Sequence, residues 1–133
     1  ALVEAGAETE LEERLAQRLE FGTAGLRGLM GAGFSRMNSL TVVQTTQGLW
    51  KYLEAECPGA EQRGVAIGHD ARHGSARFAE LAAAALAAKG VRVHLFNKLV
   101  PTPMLAYAVT HFGCAAGIMV PSLLPPCLLY PVL

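Results

Sequence analysis

Two short stretches concentrate the residue types that could do chemistry. The first is FGTAGLRGLMGAG (21–33), in which Gly22, Gly25, Gly28, Gly31 and Gly33 surround Arg27. Successive backbone N–H groups in such a turn form an anion-binding nest, and an arginine adds a two-pronged donor matched to phosphate. A glycine loop set by packing alone is the alternative. No GxxxxGK[ST] can be read, so this is not a Walker loop, and it lacks the preceding strand and following helix of a dinucleotide fingerprint. The second stretch is GHDARHGS (68–75), where Asp70 and Arg72 can pair and stiffen a ligand-facing loop. His69 and His73 are four apart, a metal-ligand spacing on a helix, but here they flank a loop. Structural bracing is the favoured reading over metal binding. No pair of carboxylates stands in a catalytic arrangement and no nucleophile elbow appears, so spacing alone leaves a domain that binds a small anion.

The elements that must hold these stretches can be read around them. TELEERLAQRLE (9–20) reads as a helix, with Thr9 and Glu12 in a capping-box pattern and Leu11, Leu15 and Leu19 on one stripe. The glycine density of 21–33 excludes a regular helix there. A second helix is expected from Asn38 to about Glu56, with Val42, Thr46, Leu49 and Leu53 at helical spacing and Trp50 and Tyr52 packed, ended by Pro58 and Gly59. Its β-branched start, TVV, argues the other way. GVAIG (64–68) reads as a buried strand, and Ser75 as the cap of an alanine-rich helix closed by Gly90. VRVHLF (91–96) alternates like a strand; Thr102 with Pro103 opens a helix to about Phe112, and CAAGIMV (114–120) is a further strand.

Strand, helix, strand, helix, strand from residue 64 is the order of a largely parallel sheet with helices on both faces. Ligands gather beyond the carboxyl ends of such strands. HDARHGS, NKLVPTP and whatever follows Val120 are therefore expected at one edge, with the glycine-rich loop able to join them. Arg63 and Lys98 flank strands and read as solvated; His94 and His111 read as ordinary core or surface histidines.

A chain of 133 residues, 52% hydrophobic and with a formal net charge of +0, suits a folded domain and lacks the basic footprint of a nucleic-acid binder. Cys57, Cys114 and Cys127 form no CxxC pair, which suggests free thiols in a reducing compartment. The chain opens at Ala1 without a basic n-region or apolar h-region; the expectation is numbering within a longer product, and the cytosol.

RLEFGTAGLRG, SRMNSLTVVQTTQGLWKYL, GHDARHGSARFAELAAAAL, HLFNKLVPTPMLAYAV and CAAGIMV, in this order, resemble the first domain of the α-D-phosphohexomutases. Within that family they look most like its phosphoglucomutase/phosphopentomutase branch and the glucose 1,6-bisphosphate synthases. The resemblance runs from about Arg18 to Val120. It implies a three-layer α/β/α domain with a largely parallel, mixed sheet, incomplete at the C-terminus. It divides the chain into a helical lead-in (1–20), the domain itself (21–120) and a non-family tail (121–133). It further implies a fragment of a cytosolic four-domain isomerase. That enzyme moves phosphate between C1 and C6 of glucose, or C1 and C5 of a pentose, through a phosphoserine and a bisphosphate intermediate. Arg27 matches the arginine of the family's GTxGxR loop, near the substrate phosphate; Asp70 and Arg72 match its GxDxR segment, which braces the site.

The departure comes after Val120. The family continues there with a TASHNP-type loop bearing the phosphoryl-carrying serine, whereas this chain reads PSLLPPCLLYPVL. Ser122 lies near the expected position without a neighbouring histidine or asparagine, and the carrier role is not transferred to it. Mg2+ and glucose 1,6-bisphosphate are implied for the whole enzyme, with a small phosphosugar as ligand, and neither cofactor nor specific protein partner for this chain alone. The expectation is an inactive chain, with a phosphosugar-binding or interaction module as the alternative. Membrane tethering by the uncharged stretch 114–133 is disfavoured, because Pro121, Pro125, Pro126 and Pro131 would break a spanning helix.

Overall fold

The computed structural model describes residues 6–22 and 25–121, which form two compact units, 6–41 and 42–121. In the N-terminal unit, helix α1 spans Glu8–Leu15 and buries no residue. Ala7, not Thr9, is its N-cap, and no side chain caps it, so the capping-box reading of Thr9 and Glu12 fails. The helix also stops well short of Glu20. The Arg14 carbonyl accepts the Ser35 N–H at 3.2 Å and the Leu19 N–H donates to Phe34 O at 3.1 Å, so groups that a longer helix would use pair with 34–35 instead. This pairing decides the local structure over a continuous helical pattern.

Strands β1 (Phe21–Gly22) and β2 (Gly25–Leu26) pair antiparallel, with Phe21 opposite Leu26. The chain then forms a bridge between Met30 and Met37 and reaches Asn38. Asn38 ties this unit together. Its Oδ1 accepts the Thr41 N–H at 3.1 Å, and its own N–H donates to Thr41 Oγ1 at 3.0 Å, a reciprocal cap on helix α2 (Ser39–Glu56). Its Nδ2 meanwhile donates to the carbonyls of Gly31, Gly33 and Arg36 at 2.9, 2.9 and 3.2 Å. Asn38→Ala removes the cap and strands those carbonyls, and is expected to cost about 2 kcal/mol. Asn38→Asp, which keeps the capping oxygen but sets a second acceptor against those three carbonyls, should recover none of that loss; urea midpoints of the three proteins check it.

In the second unit α2 continues to Glu56 as expected, and its β-branched residues are accommodated by side-chain bonding: Thr46 Oγ1 donates to Val42 O at 2.8 Å. Trp50 and Leu53 enter the core, but Tyr52 is 64% exposed, correcting its reading as a packed residue. A one-turn helix α3 (Ala60–Arg63) follows, then β3 (Val65–His69), α4 (Ser75–Ala87), β4 (Val93–Leu95), α5 (Thr102–Phe112) and β5 (Ala116–Val120). The strands form one parallel sheet in the order β4–β3–β5, with Val65 opposite Val93 on one side and Ala116 on the other.

Both faces of the central strand are covered. Val65 and Ile67 pack with Trp50 and Leu53 of α2 and with Ala79, Ala82 and Leu86 of α4. Ala66, on the opposite face, packs with Leu105, Val109, Cys114 and Met119. This is why VAI is apolar without alternation: a strand of a parallel sheet is buried on both sides. Burial also pushes the Cys114 thiol above its ordinary value. Cys57 and Cys114 are free thiols, and Cys127 lies outside the described residues.

Three further expectations are corrected here. Ser75 is not the cap of α4; Gly74, at φ 84, holds that position and Ser75 is the first helical residue. Thr102 likewise is helical, and Pro101 is the N-cap of α5. Arg63 is exposed, yet it is no idle solvated cation: it donates to Gly113 O and Cys114 O, both at 3.1 Å, and to Cys57 Sγ at 3.3 Å, joining α3 to the chain that enters β5. Among the described residues no helix is long and apolar enough to cross a membrane. Ser122 and the tail it opens, on which the carrier and tethering readings fell, lie outside the described residues.

Candidate functional site

The carboxyl edge of the sheet is built at His69, the last residue of β3. Val100 donates its N–H to His69 O at 3.0 Å, and Phe96 donates to Ile67 O at 2.9 Å, so the loop after β4 closes onto the end of β3. A side chain at Gly68 would come within 2.7 Å of Val100 Cγ2, which shows how tightly the two segments meet. On the other side His69 is paired with Val120, the last residue of β5. The two described segments expected at this edge, 69–75 and 97–103, do converge there, and Pro121 leaves it.

Asp70 organises the first of these loops. Its Oδ1 accepts the Arg72 backbone N–H at 3.0 Å and the Ser75 hydroxyl at 2.7 Å. Its Oδ2 faces Arg72 Nε at 3.2 Å. An acidic side chain that accepts the N–H two residues on is a tight local turn, and here the same carboxylate also grips the start of α4. Ser75 completes the closure from the backbone side, donating its N–H to Arg72 O at 3.2 Å. His69 Nδ1 lies 3.1 Å from Asp70 O. His73 is exposed and is not brought to His69 as a ligand pair by any helix, since both precede α4.

Arg27 belongs to the N-terminal unit. It directly follows β2, and its side chain is exposed. Gly25 opens that strand at φ 101, a backbone state that L side chains rarely adopt, so the hairpin that delivers Arg27 requires glycine there. Thr23 and Ala24, the other residues of the glycine-rich motif, lie outside the described residues.

Sequence reasoning picked out Asp70 and Arg72 but overlooked the residues that fix them. Ser75 reads as a cap because serine before a helical run usually is one; the D-x-R-x-x-S spacing is the available signal. The described residues do not fit a magnesium site: no group of three or more His, Cys, Asp or Glu side chains is placed to hold a metal, and both Asp70 oxygens already accept from Arg72 or Ser75.

A model of the phosphoglucomutase/phosphomannomutase α/β/α domain I matches residues 18–122, which takes in both loops and the whole parallel sheet. The chain belongs to the phosphoglucomutase/phosphomannomutase family. It is 50% identical over 125 residues to the phosphopentomutase of Mus musculus, covering 90% of this chain and 20% of that protein. Over the same coverage it is 48% identical to the human glucose 1,6-bisphosphate synthase. A probable phosphoribomutase of Schizosaccharomyces pombe is 46% identical over 119 residues. The chain spans about 20% of the length of the curated relatives it matches. No solved structure matched it. The β4–β3–β5 sheet with helices on both faces is thus the α/β core of a phosphomutase domain I, and Arg27, Asp70 and Arg72 all fall inside the matched span.

Proposed function

We propose that this chain supplies the phosphate-facing loops of a phosphosugar mutase, an isomerase of carbohydrate metabolism that moves a phosphoryl group within a hexose or pentose phosphate. The observation that carries the reading is the domain I match over 18–122, together with relatives named for phosphopentose, phosphoribose and glucose 1,6-bisphosphate. On this reading Arg27 donates to the substrate phosphate from the glycine-rich hairpin, while Asp70 and Arg72 brace the loop at the sheet edge.

The whole mutase works by a phosphoserine that gives up its phosphoryl group to form a sugar bisphosphate, which reorients and returns one. Mg2+ stabilises charge on the group in flight and glucose 1,6-bisphosphate primes the cycle; both belong to the whole mutase, in the cytosol. The residues after Val120 in this chain, PSLLPPCLLYPVL, offer Ser122 but no histidine or asparagine beside it; on this reading the 133-residue chain by itself binds phosphosugar weakly and does not turn it over.

Isothermal titration of the 133-residue chain with glucose 1,6-bisphosphate tests the binding half. One arginine-bearing hairpin and one braced loop offer few donors, so the expected Kd is no tighter than about 1 mM, and Arg27→Ala should weaken it further. A Kd below about 10 μM would favour a dedicated phosphosugar-binding module instead. Millimolar binding untouched by Arg27→Ala would overturn the role given to Arg27.

A further inference from the structure

We propose that Ser75 is a positioning residue: through Asp70 it holds the Arg72 guanidinium at the carboxyl edge of the sheet, where that guanidinium meets a phosphate monoester dianion. The inference rests on the phosphosugar reading above. It goes beyond that reading by giving Arg72 a ligand and Ser75 a task.

Ser75 is 0% exposed, the most deeply buried hydroxyl among the described residues. A hydroxyl cut off from water needs a protein acceptor, because leaving it unpaired costs about 1–3 kcal/mol. At the first position of α4 it reaches back across the loop to Asp70 Oδ1 at 2.7 Å. That oxygen also accepts the Arg72 N–H at 3.0 Å, and the second carboxylate oxygen lies 3.2 Å from Arg72 Nε. The carboxylate is therefore held by donors on both oxygens and cannot swing out as a base. Its plane in turn sets the direction of the guanidinium that pairs with it.

Burial falls off outward along this relay. Ser75 is enclosed, the Asp70 side chain is 24% exposed and that of Arg72 is 47% exposed. A half-exposed ion pair contributes little to stability by itself. What the relay provides is orientation: a guanidinium already fixed at Nε loses less freedom when its fork takes two phosphate oxygens. The site lies just past the end of β3, against the loop that Val100 anchors to His69, where ligands of parallel sheets collect. A dianion with several equivalent oxygens suits that fork better than a single carboxylate oxygen or a neutral sugar hydroxyl.

The test uses the isotope-labelled 133-residue chain and follows the Arg27 and Arg72 Nε–H signals by NMR. The probes are glucose 1,6-bisphosphate and, separately, inorganic phosphate. In the unsubstituted chain the Arg72 signal should exchange slowly with water and shift with either probe. In Ser75→Ala, with the backbone spectrum retained, exchange should rise about tenfold, the equivalent of one lost hydrogen bond, and the probe-induced shift should vanish. Ser75→Thr should restore both. An Arg72 signal unchanged in folded Ser75→Ala overturns the proposal. If Ser75→Ala does not fold, Asp70→Asn takes its place with the same expected and contrary results. An Arg72 signal that ignores both probes while Arg27 responds overturns the proposal and leaves the phosphosugar reading standing. Silence at both arginines overturns the reading as well.

Discussion

Gly64→Ala should unfold a large fraction of the chain or lower its stability by more than about 3 kcal/mol. The backbone at this position has φ 75 and ψ −175, a region that is essentially restricted to glycine and costs other residues about 1–3 kcal/mol. A Cβ there would lie 2.4 Å from Arg92 O and 2.9 Å from Arg92 Cβ. Neither can yield easily. Arg92 O accepts the Val65 N–H at 2.9 Å, and Gly64 O accepts the Ala115 N–H at 2.8 Å, so Gly64 and Val65 together are stitched to the chain entering both outer strands. With a total stability of about 5–15 kcal/mol for a domain, a loss of this size is decisive. Gly48→Ala is the matched control. That glycine lies inside α2 with nothing within 4 Å of the added methyl, and the change should stabilise the chain by about 0.5–1 kcal/mol. Urea unfolding followed by circular dichroism separates the two. A Gly64→Ala chain within about 1 kcal/mol of the original would contradict the packing described around β3.

Why Gly64 matters was only half visible beforehand. The run GVAIG reads as a buried strand through its composition, and the strand–helix–strand–helix–strand order follows with Pro58–Gly59 before it and Gly90 closing the alanine-rich helix. What a single sequence does not carry is which neighbour comes close. The clash of an added Cβ with Arg92 O depends on the crossover returning beside β3. The same holds for α1: its leucine stripe continues to Leu19, but a tertiary pairing with 34–35 takes the backbone groups that a longer helix would use. Helix α3 escaped notice because AEQR is a single turn with no periodicity to read.

The candidate site shows the same division. Asp70 and Arg72 could be named because charged residues just past a buried strand are conspicuous. Ser75 could not be given its task, since a serine before an alanine-rich run reads as a cap, and only the folded loop turns its hydroxyl toward Asp70. Arg63 reads as a surface cation in the sequence, although its three donors join α3 to the entry of β5. Arg27 is the residue whose importance rests most on motif and least on geometry. The fold adds that it is exposed and directly follows β2.

The account turns on one proposal: that the chain carries phosphate-facing loops of a phosphosugar mutase and that its own residues do not carry the phosphoryl. An enzyme's acceleration runs from about 10⁶-fold upward, and a covalent carrier and a substrate clamp act as a unit, so these 133 residues by themselves should give nothing measurable. The direct measurement is a coupled mutase assay of the purified 133-residue chain with glucose 1-phosphate or ribose 1-phosphate, Mg2+ and catalytic glucose 1,6-bisphosphate. The expected result is a rate equal to the buffer blank for both sugars at every protein concentration. A rate that rises in proportion to the chain and disappears in Arg27→Ala would contradict the claim, because it would place a phosphoryl carrier within these residues.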